Sequence, residues 1–254
     1  MINWFKISKH ACVVMFLVLT ISSCKKEDPS ASNSLKVGAS ARDLLSSSRY
    51  QHLEVEIQYV RGFAPTSEAI KNLRDFLQKR LHKPSGITFK YTSINSPNKQ
   101  NYSVADFREI ENQHRTVYTR KDTIGVYFFF ADGGYVRDTD RSKVLGVAYQ
   151  NTSMALFEKT IMDYSDGLNK PSRSTLETVV LNHEIGHNLG LVNLGSPMQN
   201  LHQDDEHGHH CDNRSCLMYY TVETTDVISN LLIGGAIPEL DQECINDLRA
   251  NGGK

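Results

Sequence analysis

The 254-residue chain carries 28 basic and 29 acidic side chains, a formal net charge of -1, and 39% hydrophobic residues. That content supports a core for one domain or two closely packed subdomains. The balanced charge, with no basic face in the sequence, argues against nucleic acid as a partner.

The chain opens with "MINWFKISKHACVVMFLVLTISSCKKEDPS", in which Lys6 and Lys9 precede an apolar run from Ala11 to Ile21 and small residues lead to Cys24. This is the pattern of an export signal. "ISSC" resembles the lipobox of bacterial lipoproteins. The resemblance implies a signal peptide over 1–23, acylation of Cys24, and a protein tethered to a membrane of the cell envelope, facing the periplasm or the cell surface. An ordinary signal peptide cut near Ser22 or Ser23 is the alternative. Residues 24–48 are rich in Ser, Lys, Asp and Ala, and they read as a flexible spacer.

The folded part then begins. In "HLEVEIQYV", Leu53, Val55, Ile57 and Tyr59 alternate with polar residues, the period of a half-buried strand. "TSEAIKNLRDFLQKRLHK" sets Ile70, Leu73, Leu77 and Leu81 on one helical face. "GITFKY" is a second strand, and "SVADFREIENQH" a helix capped by Ser103. The nearly continuous apolar run "TIGVYFFFA" predicts a strand buried on both faces. "VLGVAY" and "SMALFEKT" follow as shorter strands, and "PELDQECINDLRA" closes the chain as a helix. The order implies an α+β layer of helices against a mixed, mostly parallel sheet. Boundaries fall at an N-terminal subdomain over 49–193 and a C-terminal one over 194–254.

A helix over about 175–190, announced by a capping box of Ser174 and Glu177, carries "HEIGHNLGLVN". His183 and His187 are one turn apart and can share a zinc ion, with Glu184 beside them as general base toward the attacking water. Gly190 can take the left-handed conformation that ends a helix. Six of the ten histidines fall between residues 183 and 210, four of them beyond Gly190, and "CLMYY" places Met218 before two tyrosines.

"HEIGHNLG" followed by "CLMYY" resembles the metzincin clan of zinc peptidases, and "HCDNRSCLM" is similar to the archaemetzincins within it. The resemblance covers about residues 175–220. It implies a zincin-like fold with a Met-turn at Met218, a peptide or protein substrate aligned on an edge strand for which "VLGVAY" is the candidate, and three histidine ligands. The family's third ligand falls three residues after the glycine, where this chain has Asn193. An inserted loop then returns a histidine, and the archaemetzincin pattern selects His210, with His207 second and His209 third. Tyr220 stands where related peptidases place a tyrosine that stabilises the oxyanion; packing beneath the site is the alternative for Tyr219 and Tyr220. In archaemetzincins the equivalents of Cys211 and Cys216 hold a second zinc with a later Cys-x-x-Cys pair that this chain lacks. For an exported protein, a Cys211 to Cys216 disulfide with Cys244 buried and free is then expected.

These features predict a monomeric zinc metalloendopeptidase: His183, His187 and His210 hold the metal, and Glu184 moves the proton. The His- and Asp-rich loop (Asp204, Asp205, Glu206, His207) offers ligands for a second metal. The competing expectation is an inactive, lipid-anchored metal-binding or interaction protein on the same scaffold.

Overall fold

The computed structural model describes Met1, residues 31–223 and residues 236–254; the expected signal and Cys24 lie outside the described residues. Among the described residues no helix is long and apolar enough to cross a membrane.

Strand β4 (Thr123–Phe130) is the centre of a five-stranded sheet ordered β2-β1-β4-β7-β6. In it β2 (Ile87–Ile94), β1 (His52–Val60), β4 and β7 (Ser153–Leu156) run parallel, and β6 (Gly146–Gln150) is antiparallel at one edge. Helices α2 (Ser67–Arg80) and α5 (Arg173–Asn188) press Ile70, Leu73, Leu77, Leu176 and Val180 onto Val55, Ile57, Val126 and Phe128. On the opposite face, α3 (Val104–His114) packs Phe107 and Ile110 onto Tyr127 and Phe129. Both faces of β4 are therefore covered, which is why its sequence is continuously apolar. This is the expected α+β arrangement.

Strand β1 differs from its half-buried reading. Its polar residues Glu56 and Gln58 are as buried as its apolar ones. They are tolerated because each is bonded: Glu56 accepts from the backbone N–H groups of Thr116 and Val117, and Gln58 accepts from Tyr127 Oη and donates to the His114 carbonyl. Buried polar groups persist only when so paired. The run "SMALFEKT" also splits: β7 ends at Leu156, and α4 (Glu158–Asp163) begins where an ion pair with Arg173 at 2.7 Å holds the buried Glu158. A two-residue pair, β3 (Asn101–Tyr102) with β5 (Gly134–Tyr135), had no sequence signal.

The expected spacer over 24–48 requires correction across its described part. Residues 41–45 form helix α1 (Ala41–Leu45), whose Leu44 and Leu45 are fully buried in the main core. Lys83 Nζ donates to the carbonyls of Asp43, Ser46 and Tyr50, closing the end of this short helix. Composition hid the element because two adjacent leucines carry all of its large apolar surface.

Leu45→Ala is expected to cost about 2–5 kcal/mol in urea unfolding, the range for emptying a buried leucine site. A loose spacer at this position would give no change.

Candidate metal centre and active site

Helix α5 starts two residues earlier than the Ser174–Glu177 box. Ser172 is its N-cap, accepting from Thr175 N, while Glu177 is drawn away to Thr66 and Arg173. Every residue from Thr175 to Asn188 is buried. One side of the helix meets the core, and the other sets His183, Glu184 and His187 beside edge strand β6. Gly146 on β6 permits the approach: a Cβ there would lie 2.7 Å from Glu184 Oε1 and 2.6 Å from Val180 Cγ1. Asn188 Nδ2 donates to Gln150 O at 2.9 Å and ties the helix end to the same strand.

The helix stops at Gly190, whose φ of +80° is the left-handed conformation favoured for glycine. A side chain there would also strike Ser196 N at 2.4 Å, so the chain folds tightly back on itself. Val192 and Asn193 follow with φ of +49° and +65°. For a β-branched residue such as Val192 this is a strained backbone, held here with its side chain fully buried.

The inserted segment is ordered by a small ladder. Gln203 bridges Cys211 antiparallel, with Asp212 N bonded to His202 O and Asp204 N to His210 O. Asp204 spends its carboxylate on the turn, accepting from Glu206 N, His207 N and His207 Nδ1. The acidic run is thus a turn-former, with Asp205 and Glu206 exposed. His207 lies flat on Tyr220, ring centroids 3.5 Å apart. His209 is exposed, its Nδ1 3.4 Å from Val192 O.

His210 goes the other way. Its ring stands 5.4 Å from that of His183 and 5.2 Å from that of His187, and one nitrogen from each of the three lies within 4.8 Å of the others. His183 Nε2 and His187 Nε2 are 3.1 Å apart, near the roughly 3.3 Å expected of two nitrogens 2.0–2.1 Å from a tetrahedral zinc. His183 Nδ1 donates to Leu217 O at 2.8 Å, and His210 Nδ1 is 2.8 and 3.0 Å from the carbonyls of His207 and Gly208. Backbone acceptors on Nδ1 leave Nε2 as the lone-pair nitrogen, the arrangement of ligating histidines. The donor set fits zinc. Beneath it Met218 is fully buried against α5, where a Cβ on Gly186 would sit 2.5 Å from Met218 Sδ.

The cysteines overturn the expected disulfide. Cys211, Cys216 and Cys244 are all free thiols, and Cys244 is not isolated: its Sγ is 3.6 Å from Cys216 Sγ. Cys244 lies on α6 (Gln242–Ala250). His202, Cys211, Asp241 and Cys244 each offer a ligand atom within 4.8 Å of the others. His202 Nε2 is 2.8 Å from Asp247 Oδ2, both side chains buried, so Nδ1 is the nitrogen available to a metal. Hydrogen bonds from Cys211 and Cys244 pull the Cys216 thiol down to about 4, and that bond pushes Cys211 up to about 12. His202 and Cys244 carried no signal in the sequence, since His202 lies in a crowded histidine loop and Cys244 had no partner at motif spacing.

No family model matches the sequence, and no curated protein matches it either. Solved structures match in fold. The crystal structure of archaemetzincin from Methanopyrus kandleri aligns with a TM-score of 0.53 at 15% identity, covering 80% of this chain and 97% of that one. The crystal structure of metalloproteinase-II from Bacteroides fragilis gives 0.39 at 17% identity, covering 82% of this chain and 55% of that one. The first likeness shows an archaemetzincin-like, zincin-type fold.

Gly186→Val should lose about 1–3 kcal/mol of stability by overpacking against Met218, measured by urea unfolding.

Proposed function

We propose that this protein is a zinc-dependent metalloendopeptidase. The observation that carries this reading is the convergence of His183, His187 and His210, two of them with Nδ1 held by backbone carbonyls, beside Glu184 in the floor of an open cleft. The three imidazoles would hold zinc, which supplies a Lewis acid that acidifies water and polarises a carbonyl oxygen. Glu184 sits on the same face of α5, packed against Gly146. From there its carboxylate accepts a proton from the attacking water and returns it to the leaving amine. Among the described residues edge strand β6 pairs with a strand on one side only, and an extended peptide can pair along the other. Tyr220 stacks on His207 and, with Tyr219, lines a hollow other than the cleft before Glu184. An inactive metal-binding scaffold is less well supported, because the base, three ligands and a cleft coincide.

The thiol cluster supports a second zinc. His202, Cys211, Asp241 and Cys244 make a compact donor set with Cys216 Sγ 3.6 Å from Cys244 Sγ, and a thiol-rich composition of this kind is structural rather than catalytic. The Asp247 carboxylate behind His202 is the usual outer partner of such a ligand. The lipid anchor at Cys24 and an envelope location belong to the same proposal and rest on the N-terminal sequence.

Glu184→Gln is expected to lower kcat for peptide hydrolysis about 100- to 10,000-fold with zinc content unchanged; hydrolysis at the original rate would rule the mechanism out. For the second site, elemental analysis should find two zinc ions per chain. Cobalt exchange should give thiolate charge-transfer absorption that Cys244→Ser weakens and His210→Ala leaves in place.

A further inference from the structure

Helices α2 and α5 and the chain at Leu240 enclose a cavity of about 260 Å³, and it shares no described lining residue with the cleft before Glu184. Phe76, Ile237 and Leu240 give it hydrocarbon walls. Leu217 N donates to Glu239 O at 2.9 Å and fixes the chain that bears two of them. Several polar lining groups are already satisfied. Asn72 Nδ2 donates to Thr178 Oγ1 at 3.1 Å, and that hydroxyl donates to Ser174 O at 2.6 Å. Asp75 pairs with Lys71 at 3.1 Å, and Glu239 with Lys79 at 2.8 Å.

Two lining groups are left over. Arg80, the last residue of α2, is 5% exposed, and its Nε is buried with no hydrogen-bond partner among the described residues. Its ion-pair partner there, Glu239, stands at 4.0 Å, beyond hydrogen-bond reach, on a side chain 71% exposed. A carboxylate so solvated compensates a buried charge poorly. Burial lowers the pKa of Arg80, Glu239 opposes that shift, and Arg249 adds to it. Asn182, one residue before His183 on α5, is also 5% exposed, and its Oδ1 is buried without a partner among the described residues. An unpaired buried guanidinium and an unpaired buried amide are both costly, and native structures rarely keep either without a bound group to complete it.

We propose that this cavity binds an α-carboxylate flanked by an amide N–H and an aliphatic side chain, the group that ends a peptide or an N-acyl amino acid. Arg80 forks the carboxylate, for which a guanidinium is the matching donor. The Asn182 amide accepts from the ligand N–H, and the aliphatic side chain lies against Phe76, Ile237 and Leu240. The volume, just under the usual range for drug-sized ligands, admits one such residue and not an extended chain. The site takes no group from the histidine cluster, so it does not depend on the peptidase reading.

Nitrogen-edited NMR of the zinc-loaded full chain observes the Arg80 Nε–H and the Asn182 side-chain amide directly. N-acetyl-leucine should shift both resonances saturably. N-acetyl-leucinamide, which lacks the carboxylate, should bind about 10- to 100-fold more weakly, and isocaproate, which lacks the amide, about 2- to 10-fold more weakly. Arg80→Met keeps a buried stem and removes the charge; it should abolish the response at Asn182 while Tm holds or rises, since hydrocarbon replaces a poorly paired ion. No shift at Arg80 and Asn182, or shifts confined to the cleft histidines, would overturn the assignment. So would equal affinity for the leucinamide or isocaproate, or undiminished binding in Arg80→Met. The three-probe comparison is made on wild type and stands whether or not that variant folds.

Discussion

The site depends on how α5 is joined to the turn beneath it. His183 Nδ1 donates to Leu217 O, and Met218 seats its sulfur where Gly186 has no side chain. A helix buried over almost its full length cannot carry two histidines and a glutamate without partners, since each unpaired polar group would cost several kcal/mol. The Leu217 carbonyl meets part of that need and sets the tautomer at the same time. Structural satisfaction of a buried imidazole and its preparation as a ligand are one interaction. Cys211 N, bonded to Met218 O, extends that junction to the residue following His210.

The inserted loop therefore leaves and returns under constraint. It departs through three residues of left-handed backbone, Gly190, Val192 and Asn193, and it comes back through the Gln203 to Cys211 bridge. His202, bonded to Asp247 of α6, moors the loop to the C-terminal helix before His210 is delivered. The thiol cluster lies at the same junction, joining the loop, the turn at Leu217 and Met218, and α6. Loop length costs little in closure entropy, so the chain can bridge from Asn193 to His210 provided its far end is fixed, and the cluster fixes it.

Much of the site was legible because its rules are local. Two histidines four apart share a helix face wherever the helix lies, Ser103 caps α3 by its own side chain, and Gly190 ends a helix by its lack of a Cβ. The archaemetzincin-like spacing before Cys211 pointed to His210, and the structure puts that residue with the other two. Composition misled at 31–48, where two leucines and a row of backbone hydrogen bonds order a segment that looks soluble. Alternation misled at β1, because Glu56 and Gln58 face a layer of protein that the strand's own sequence does not reveal.

The sequence by itself determined the main strands and long helices, the zinc-helix motif and the turn that ends it, since these follow from periodicity, caps and backbone sterics within a few residues. Only the tertiary structure decided which cysteine meets which, that His202 points at sulfur and not solvent, and that Arg80 and Asn182 line one cavity. Those are contacts between residues tens to hundreds of positions apart. Their partners are selected by the closing of the sheet and the packing of α5 and α6, and no local spacing encodes them.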